Sequence, residues 1–359
     1  MKKKRQDKNK LWLDRRSRKI QHDLSTNEKS RKNRNSGDVN IKASYKRNRS
    51  DSNRVIIPTN FSLIENPYET IQCFETMEAK LRLKIETPLN LDFYEVENLS
   101  IDAIMYLIAF TQNKAKQGNQ RSIKGNYPKN KQAKTDMISS GFLDFVSQQT
   151  IVDKEQLKKD DTLMITVGHL VKPEILADIC DFVNKAFKTP TRYTGFLYTI
   201  IGELMANTNE HAYVDVKAAK KTVNRWYLFV KKIDTKIKFT ILDTGIGIPA
   251  TINKRVFEKI RDQTRILPTV SDSNYIFEAL QGKHKSNFSR SRTAADNRNK
   301  GLPAIYNCYQ KGLIRNFKIM SNSGVCYCVD GTSQKSDLDK RLQGTLFYWE
   351  IENHTESEA

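Results

Sequence analysis

Asp243 closes an alternating run, Lys236-Ile-Lys-Phe-Thr-Ile-Leu242, and two glycines follow it at 245 and 247. The alternation reads as a half-buried strand. A carboxylate therefore sits at a strand end. Glycine lets the backbone turn at positive φ and lets a ligand approach closely. Taken alone, Asp-x-Gly-x-Gly is equally an ordinary polar turn after a strand.

Upstream, residues 194–213 read as an amphipathic helix. Leu197, Ile201, Met205, Thr208 and Ala212 form one stripe at helical spacing. Glu203, Asn207 and Glu210 lie on a different face. An Asn amide oxygen suits Mg²⁺, which prefers hard oxygen ligands. A Glu one turn away can orient or deprotonate a water or a hydroxyl. Downstream, Lys300-Gly-Leu-Pro-Ala-Ile305 opens another helix, with Pro303 tolerated in its first turn. Free backbone N–H groups at a helix start attract phosphate. Gly344-Thr345 then leads into a last strand, Leu346-Phe-Tyr-Trp-Glu-Ile351.

In this order, the four blocks resemble the GHKL ATP-binding superfamily of gyrase B, Hsp90, MutL and the sensor kinases. Glu203-Leu-Met-Ala-Asn207-Thr-Asn-Glu-His211-Ala212 is similar to its N box. Asp243-Thr-Gly-Ile-Gly-Ile-Pro249 is similar to the G1 box, Gly301-Leu302 to the G2 box and Gly344-Thr345 to the G3 position. The resemblance covers about residues 160–352. It implies a Bergerat-type α/β sandwich with ATP and Mg²⁺ as ligands. By that resemblance, Asn207 holds Mg²⁺ and Asp243 accepts the adenine amino group. Gly245 and Gly247 admit base and ribose. Gly301 and Leu302 offer amides to the phosphates, and Thr345 supports the adenine pocket. Glu203 matches the general base of the ATPases. Glu210 stands where sensor kinases carry a basic residue. His211 matches the serine-kinase branch of anti-sigma factors, or is a partly buried imidazole with a structural role.

Two departures qualify the match. Asn299-Lys300 replaces the earlier glycine of the G2 box, and Lys300 either contacts a phosphate or is a solvated lid residue. Gyrase- and MutL-like ATPases take a catalytic lysine from a following transducer domain, and none is expected here because the sequence ends soon after Ile351. Three functions follow as expectations. The first is an ATPase-type conformational switch controlling partner binding or self-association. The second is an anti-sigma-type serine/threonine kinase. The third is a non-hydrolysing nucleotide sensor that binds nucleic acid. None of the five histidines sits in a recognisable dimerisation helix pair, which argues against a histidine autokinase.

The elements that must hold these residues fit the composition. The chain has 359 residues, 38% of them hydrophobic, enough for two globular domains. No run approaches the length of an apolar membrane span, and the N-terminus lacks the apolar core of a secretory signal. Cys73, Cys180, Cys308, Cys326 and Cys328 show no paired metal spacing. Cys326-Tyr-Cys328 places both sulfurs on one strand face, and all five read as reduced cytoplasmic thiols. A cytoplasmic protein with no membrane association is expected.

Of the net charge of +20, residues 1–54 carry +13, from 19 Lys and Arg against 6 Asp and Glu. This stretch reads as a disordered basic tail, suited to phosphate contacts on nucleic acid, to an acidic partner or to solubility alone. Ordered sequence is expected from about Val55. Helices are expected at 68–83, 100–116 and 129–140, and strands at 89–93 and 121–125. Such alternation implies an α/β layer. Over about 80–147 it is similar to a STAS domain, through Leu91-Asp-Phe-Tyr-Glu-Val96 and Ser100-Ile-Asp-Ala103. Ala103 follows Asp102 where that family carries its phosphorylatable serine, so a binding or scaffold role is expected, with Ser100 as a helix N-cap.

The expected organisation is a tail at 1–54, a STAS-like domain at 55–150, a GHKL domain at 151–353 and a short C-terminal tail at 354–359. A lid is expected at about 250–300, since long insertions are often functional. It contains a helix at 274–280 and a basic, Ser-rich run in which Arg290, Arg292 and Arg298 are candidate γ-phosphate contacts.

Overall fold

The computed structural model describes residues 53–83, 87–119, 122–146, 162–188, 193–210, 225–252, 271–283 and 301–353. The first described residues, Asn53 and Arg54, fall in the stretch expected as tail and are ordered. Arg54 belongs to β1 (Arg54–Ile56), and Asn53 is buried. The reason is specific pairing. Arg54 forms an ion pair with Asp92, and the Asn53 carbonyl accepts from the Asn90 amide at 2.9 Å. Charge density placed these two residues in the tail, whereas their partners lie far along the chain.

The upstream segment alternates short strands with helices. β2 (Asn60–Phe61) leads to α1 (Pro67–Arg82), which starts on a proline whose missing N–H costs nothing there. β3 (Leu89–Asp92) and β4 (Asn98–Leu99) precede α2 (Ile101–Lys116). β5 (Ile123–Gly125), α3 (Lys131–Ser139) and α4 (Phe142–Val146) follow. β1, β3 and β5 form a parallel sheet in that spatial order, and β2 pairs with β4. Asn130 caps α3, its side-chain oxygen accepting from the amides of Gln132 (2.9 Å) and Ala133 (3.1 Å). Ser100 occupies the N-cap position of α2 without acting as its side-chain cap. Its hydroxyl donates instead to Asp102, whose carboxylate also accepts from the Leu63 amide at 2.6 Å.

The second half builds one larger sheet. β6 (Thr162–Gly168) is followed by α5 (Pro173–Phe187) and α6 (Thr194–Glu210). β7 (Trp226–Ile233) and β8 (Lys236–Asp243) form a hairpin whose turn places Asp234 at positive φ. α7 (Asp272–Leu280) and α8 (Gly301–Gln310) precede a long hairpin, β9 (Arg315–Val329) and β10 (Thr332–Glu352). The sheet order is β6-β7-β8-β10-β9, with every neighbouring pair antiparallel. The described architecture is therefore mixed α/β, with both parallel and antiparallel sheets.

Side-chain alternation gives the five-stranded sheet two apolar faces, and each is covered. On one face Ile237, Phe239 and Ile241 pack with Leu197, Ile201 and Met205 of α6 and with Ile305 of α8. The ring of Phe239 stacks on Trp349 with centroids 5.0 Å apart. On the other face Tyr227, Phe229, Leu242 and Leu346 join the core of the upstream segment, including Ile104 and Ile108 of α2. The two segments expected as separate domains thus share a continuous core, within one compact unit spanning Ser52–Ala359.

α7 lies inside the region expected to form a lid, yet it is clamped to the sheet. Ser273 donates to Asp337 through its amide (2.9 Å) and its hydroxyl (2.7 Å). Asp272 accepts from the amide and hydroxyl of Ser323 at 3.1 and 2.6 Å. A Cβ on Gly324 would lie 2.5 Å from the Asp272 carbonyl carbon, so only glycine permits this approach. This helix belongs to the fixed frame. Among the described residues, no helix is long and apolar enough to cross a membrane.

Candidate functional site

Asp243 continues the face of Ile237, Phe239 and Ile241, so its side chain shares the α6 side of the sheet. It is 8% exposed. Its register partners are Trp226 on β7 and Thr345 on β10, and Thr345 in turn pairs with Ser321 on β9. Cross-strand partners point to the same face. A polar row, Asp243-Thr345-Ser321, therefore crosses one end of an otherwise apolar surface.

Burial pushes the Asp243 carboxyl up to about 7, although the amides of Gly245 and Thr345 hold it down in part. The Gly245 amide donates to its Oδ1 at 2.8 Å. This carboxylate is poised to take or give a proton near neutrality, and it sits at the mouth of a glycine turn. A buried carboxylate with a raised pKa is a common mark of a functional position.

The turn itself is fixed from the far side of the sheet end. The Ser321 hydroxyl accepts from the Ile248 amide (2.9 Å), donates to the Gly344 carbonyl (3.0 Å) and lies 3.0 Å from the Thr345 hydroxyl. Gly247 has φ +86°, and a Cβ there would lie 2.8 Å from Ser321 Oγ. Gly344 has φ +98°, and its Cβ would stand 2.0 Å from the Asp243 carbonyl oxygen. Asn322, with its amide oriented to suit its neighbours, donates to the Ile246 carbonyl (3.1 Å) and accepts from Arg341 (3.3 Å).

The second cluster stands on α6. Four residues of the expected stripe, Leu197, Ile201, Met205 and Thr208, face the core and the fifth, Ala212, lies outside the described residues, while Glu203 and Asn207 remain half-buried on another face. Gly301, the first residue of α8, packs directly against them. A Cβ on Gly301 would lie 2.9 Å from Asn207 Nδ2 and 3.1 Å from Glu203 Cβ. The start of α8, where amides lack helical partners, thus abuts an amide and a carboxylate that can serve a hydrated cation. Leu302 packs at the edge of the helix-side core.

Sequence reasoning placed Glu203, Asn207, Asp243, Gly245, Gly247, Gly301, Leu302 and Thr345 in one site. The structure joins them in two clusters, one around Asp243 and one around Gly301, both on the helix-covered side of the sheet. Glu210 is the last residue of α6. His211, Lys300, Arg290, Arg292 and Arg298 lie outside the described residues, as does most of the basic stretch 1–54. Thr345 uses its hydroxyl within the polar row, bonded to Ser321. Among the described residues, no group of three or more His, Cys, Asp or Glu side chains forms a metal cluster. A divalent ion in this donor set would need further ligand oxygens, from water or a bound anion, beside Asn207, which is the usual habit of Mg²⁺.

Three residues escaped the sequence reading. Ser321 was detectable as a polar break, Ser321-Asn-Ser-Gly324, inside a long strand. Tyr106 and Gln343 gave no local signal. The Tyr106 hydroxyl accepts from the Gln343 amide at 3.1 Å, and Gln343 Nε2 donates to the Thr244 carbonyl at 3.3 Å. Burial pushes the Tyr106 hydroxyl up to about 12, so it stays protonated. Helix α2 of the upstream segment is thereby wired to the residue following Asp243.

Comparison with protein-family models gave no match, and comparison with curated proteins gave none either.

Proposed function

We propose that this protein binds Mg·ATP on the helix side of its five-stranded sheet and acts as an ATPase-type conformational switch controlling partner binding or self-association. The observation that carries this reading is the contact of Gly301 with Asn207 and Glu203. It brings helix-start amides, suited to phosphate, against the side-chain amide of Asn207, whose oxygen suits Mg²⁺, and a carboxylate suited to general-base work. The buried Asp243 at the turn gives a hydrogen-bond acceptor for an adenine amino group, with Gly245 and Gly247 leaving room for the base. The polar row through Thr345 and Ser321 supports that end of the pocket.

On this reading residues 151–353 are a GHKL-type sandwich. The STAS-like upstream segment is a scaffold that covers the opposite face of the sheet and reaches the Asp243 turn through Tyr106 and Gln343. Mg²⁺, when bound, would neutralise charge on the phosphates. Asn207 would hold it, the Gly301 and Leu302 amides would hold phosphate oxygens, and Glu203 would take the proton of the water that attacks the γ-phosphate as ADP leaves.

The test is phosphate release by the purified protein. Glu203→Ala should keep ATP bound and lose turnover by about 10²–10⁴-fold, the range of general-base catalysis. Equal turnover above background in wild type and variant would remove Glu203 from the chemistry. Binding without turnover in both would leave a nucleotide sensor and no enzyme.

A further inference from the structure

The upstream segment contains a cavity of about 660 Å³ that the nucleotide reading does not use. It opens between β3, β5, the C-terminal half of α2 and α4. Small-molecule sites commonly measure about 300–1,000 Å³ and combine apolar walls with a few polar groups. The cavity runs along the helix-covered face of the parallel sheet, from Asn119 before β5 to Asn126 and Tyr127 just past its end.

The lining has a consistent chemistry. Phe93, Tyr127, Phe142 and Phe145 give it aromatic walls, and Tyr127 and Phe145 are left 39% and 36% exposed. Lys114 and Lys124 also line it, whereas no carboxylate does among the described residues. Lys114 is paired with Glu78 at 2.7 Å, whereas Lys124, in register with Asn90, directs its side chain to the opposite face of the sheet from Leu91 and Phe93. Lys134 stands 5.1 Å from the Tyr127 ring centroid and adds positive charge beside that wall. Gln112 lines the cavity too, and its side-chain oxygen accepts from the Tyr227 hydroxyl at 2.8 Å. Tyr227 neighbours Trp226, the strand partner of Asp243.

We propose that this cavity is a binding site for a small, planar aromatic molecule. Its rings lie against Phe93, Phe142 and Tyr127. Gln112, which lines the cavity, bonds to Tyr227 of β7, so one side chain links the cavity wall to the sheet that holds Asp243. The site does not depend on the nucleotide reading, and its test is separate from ATP turnover.

The probe is 8-anilinonaphthalene-1-sulfonate, which joins aromatic rings to one sulfonate. Titrated into the full-length protein with saturating Mg·ATP present, it should show a saturable fluorescence rise at one molecule per chain. Ala115 lines the cavity and is exposed on α2, so Ala115→Trp should block the cavity while leaving the fold intact, as checked by thermal melting. That variant should weaken the probe at least tenfold. Lys124→Glu, on the opposite face of the sheet, should leave the affinity unchanged. Unchanged affinity in Ala115→Trp, or no saturable rise in the wild type, would overturn the proposal. So would a loss in Lys124→Glu as large as that in Ala115→Trp, which would place the probe on the other face.

Discussion

Gly344 lies so close to Asp243 that a Cβ on the glycine would stand 2.0 Å from the aspartate's carbonyl oxygen. The two residues sit on neighbouring strands, and Thr345, next to Gly344, is the register partner of Asp243. The strand end that carries the carboxylate therefore depends on a missing side chain opposite it. Gly344 also holds φ +98°, a region that L side chains rarely adopt.

Gly344→Ala should cost about 3 kcal/mol or more. Backbone strain contributes about 1–3 kcal/mol, and forced displacement of the Asp243 backbone about as much again. Urea unfolding measures it. An unchanged midpoint would show that the strand end relaxes freely and that the close approach has no structural weight.

Stability should depend on pH through Asp243. Its folded-state pKa lies at about 7, raised from an ordinary carboxyl near 4. The folded state thus holds a proton that the unfolded state releases. The stabilising contribution is complete below about pH 4 and is lost as pH rises through about 7. Compared with Asp243→Asn, which has nothing to titrate there, the wild type should lose stability across that window. Chemical unfolding of both proteins from pH 4 to 8 gives the difference, and a difference that stays flat contradicts the burial argument.

Ser321→Ala should cost about 1–3 kcal/mol, the scale of a buried group left without its partner. The variant strips the acceptor from the Ile248 amide and the donor from the Gly344 carbonyl. Native-state hydrogen exchange should show the Ile248 amide losing protection. If that amide stays protected, another group holds the turn.

Gly301→Ala should weaken Mg·ATP binding at least tenfold while moving the unfolding midpoint little. The added methyl meets the Asn207 amide at 2.9 Å, the far end of a side chain that can swing away, and the Glu203 stem at 3.1 Å. The fold tolerates that shift, whereas the proposed Mg²⁺ geometry does not. A variant that binds nucleotide normally would separate Gly301 from the phosphates.

Periodicity carried much of this fold. The spacing of Leu197, Ile201, Met205 and Thr208 identified the buried side of α6, and alternation from Lys236 to Leu242 identified β8. Both signals are local, with a repeat set by backbone geometry. Arg54 was missed because its pairing with Asp92 spans distant sequence, and Ser100 takes the expected N-cap position while its hydroxyl bonds to the nearby Asp102 carboxylate instead of a helix amide. The shared core between the upstream segment and the sheet was invisible for a related reason. β7 is apolar on both faces, as Tyr227 and Trp226 show, and sequence gives no hint of what covers the second face. The polar row is likewise assembled from three strands, so Asp243 and Thr345 were legible through the glycines beside them and Ser321 was not.

On the proposed reading, Asp243 and Asn207 bind opposite ends of one Mg·ATP molecule. Isothermal titration calorimetry of the wild type, Asp243→Asn and Asn207→Ala distinguishes the two ends. The wild type should show one Mg²⁺-dependent ATP site per chain. Asp243→Asn should lose about 1–3 kcal/mol of binding, as for an unmatched buried hydrogen bond, and should lose discrimination between adenine and guanine nucleotides. Asn207→Ala should lose the Mg²⁺ dependence. A wild type that gives no heat with Mg·ATP, or folded variants that bind it as tightly as the wild type, would contradict the account.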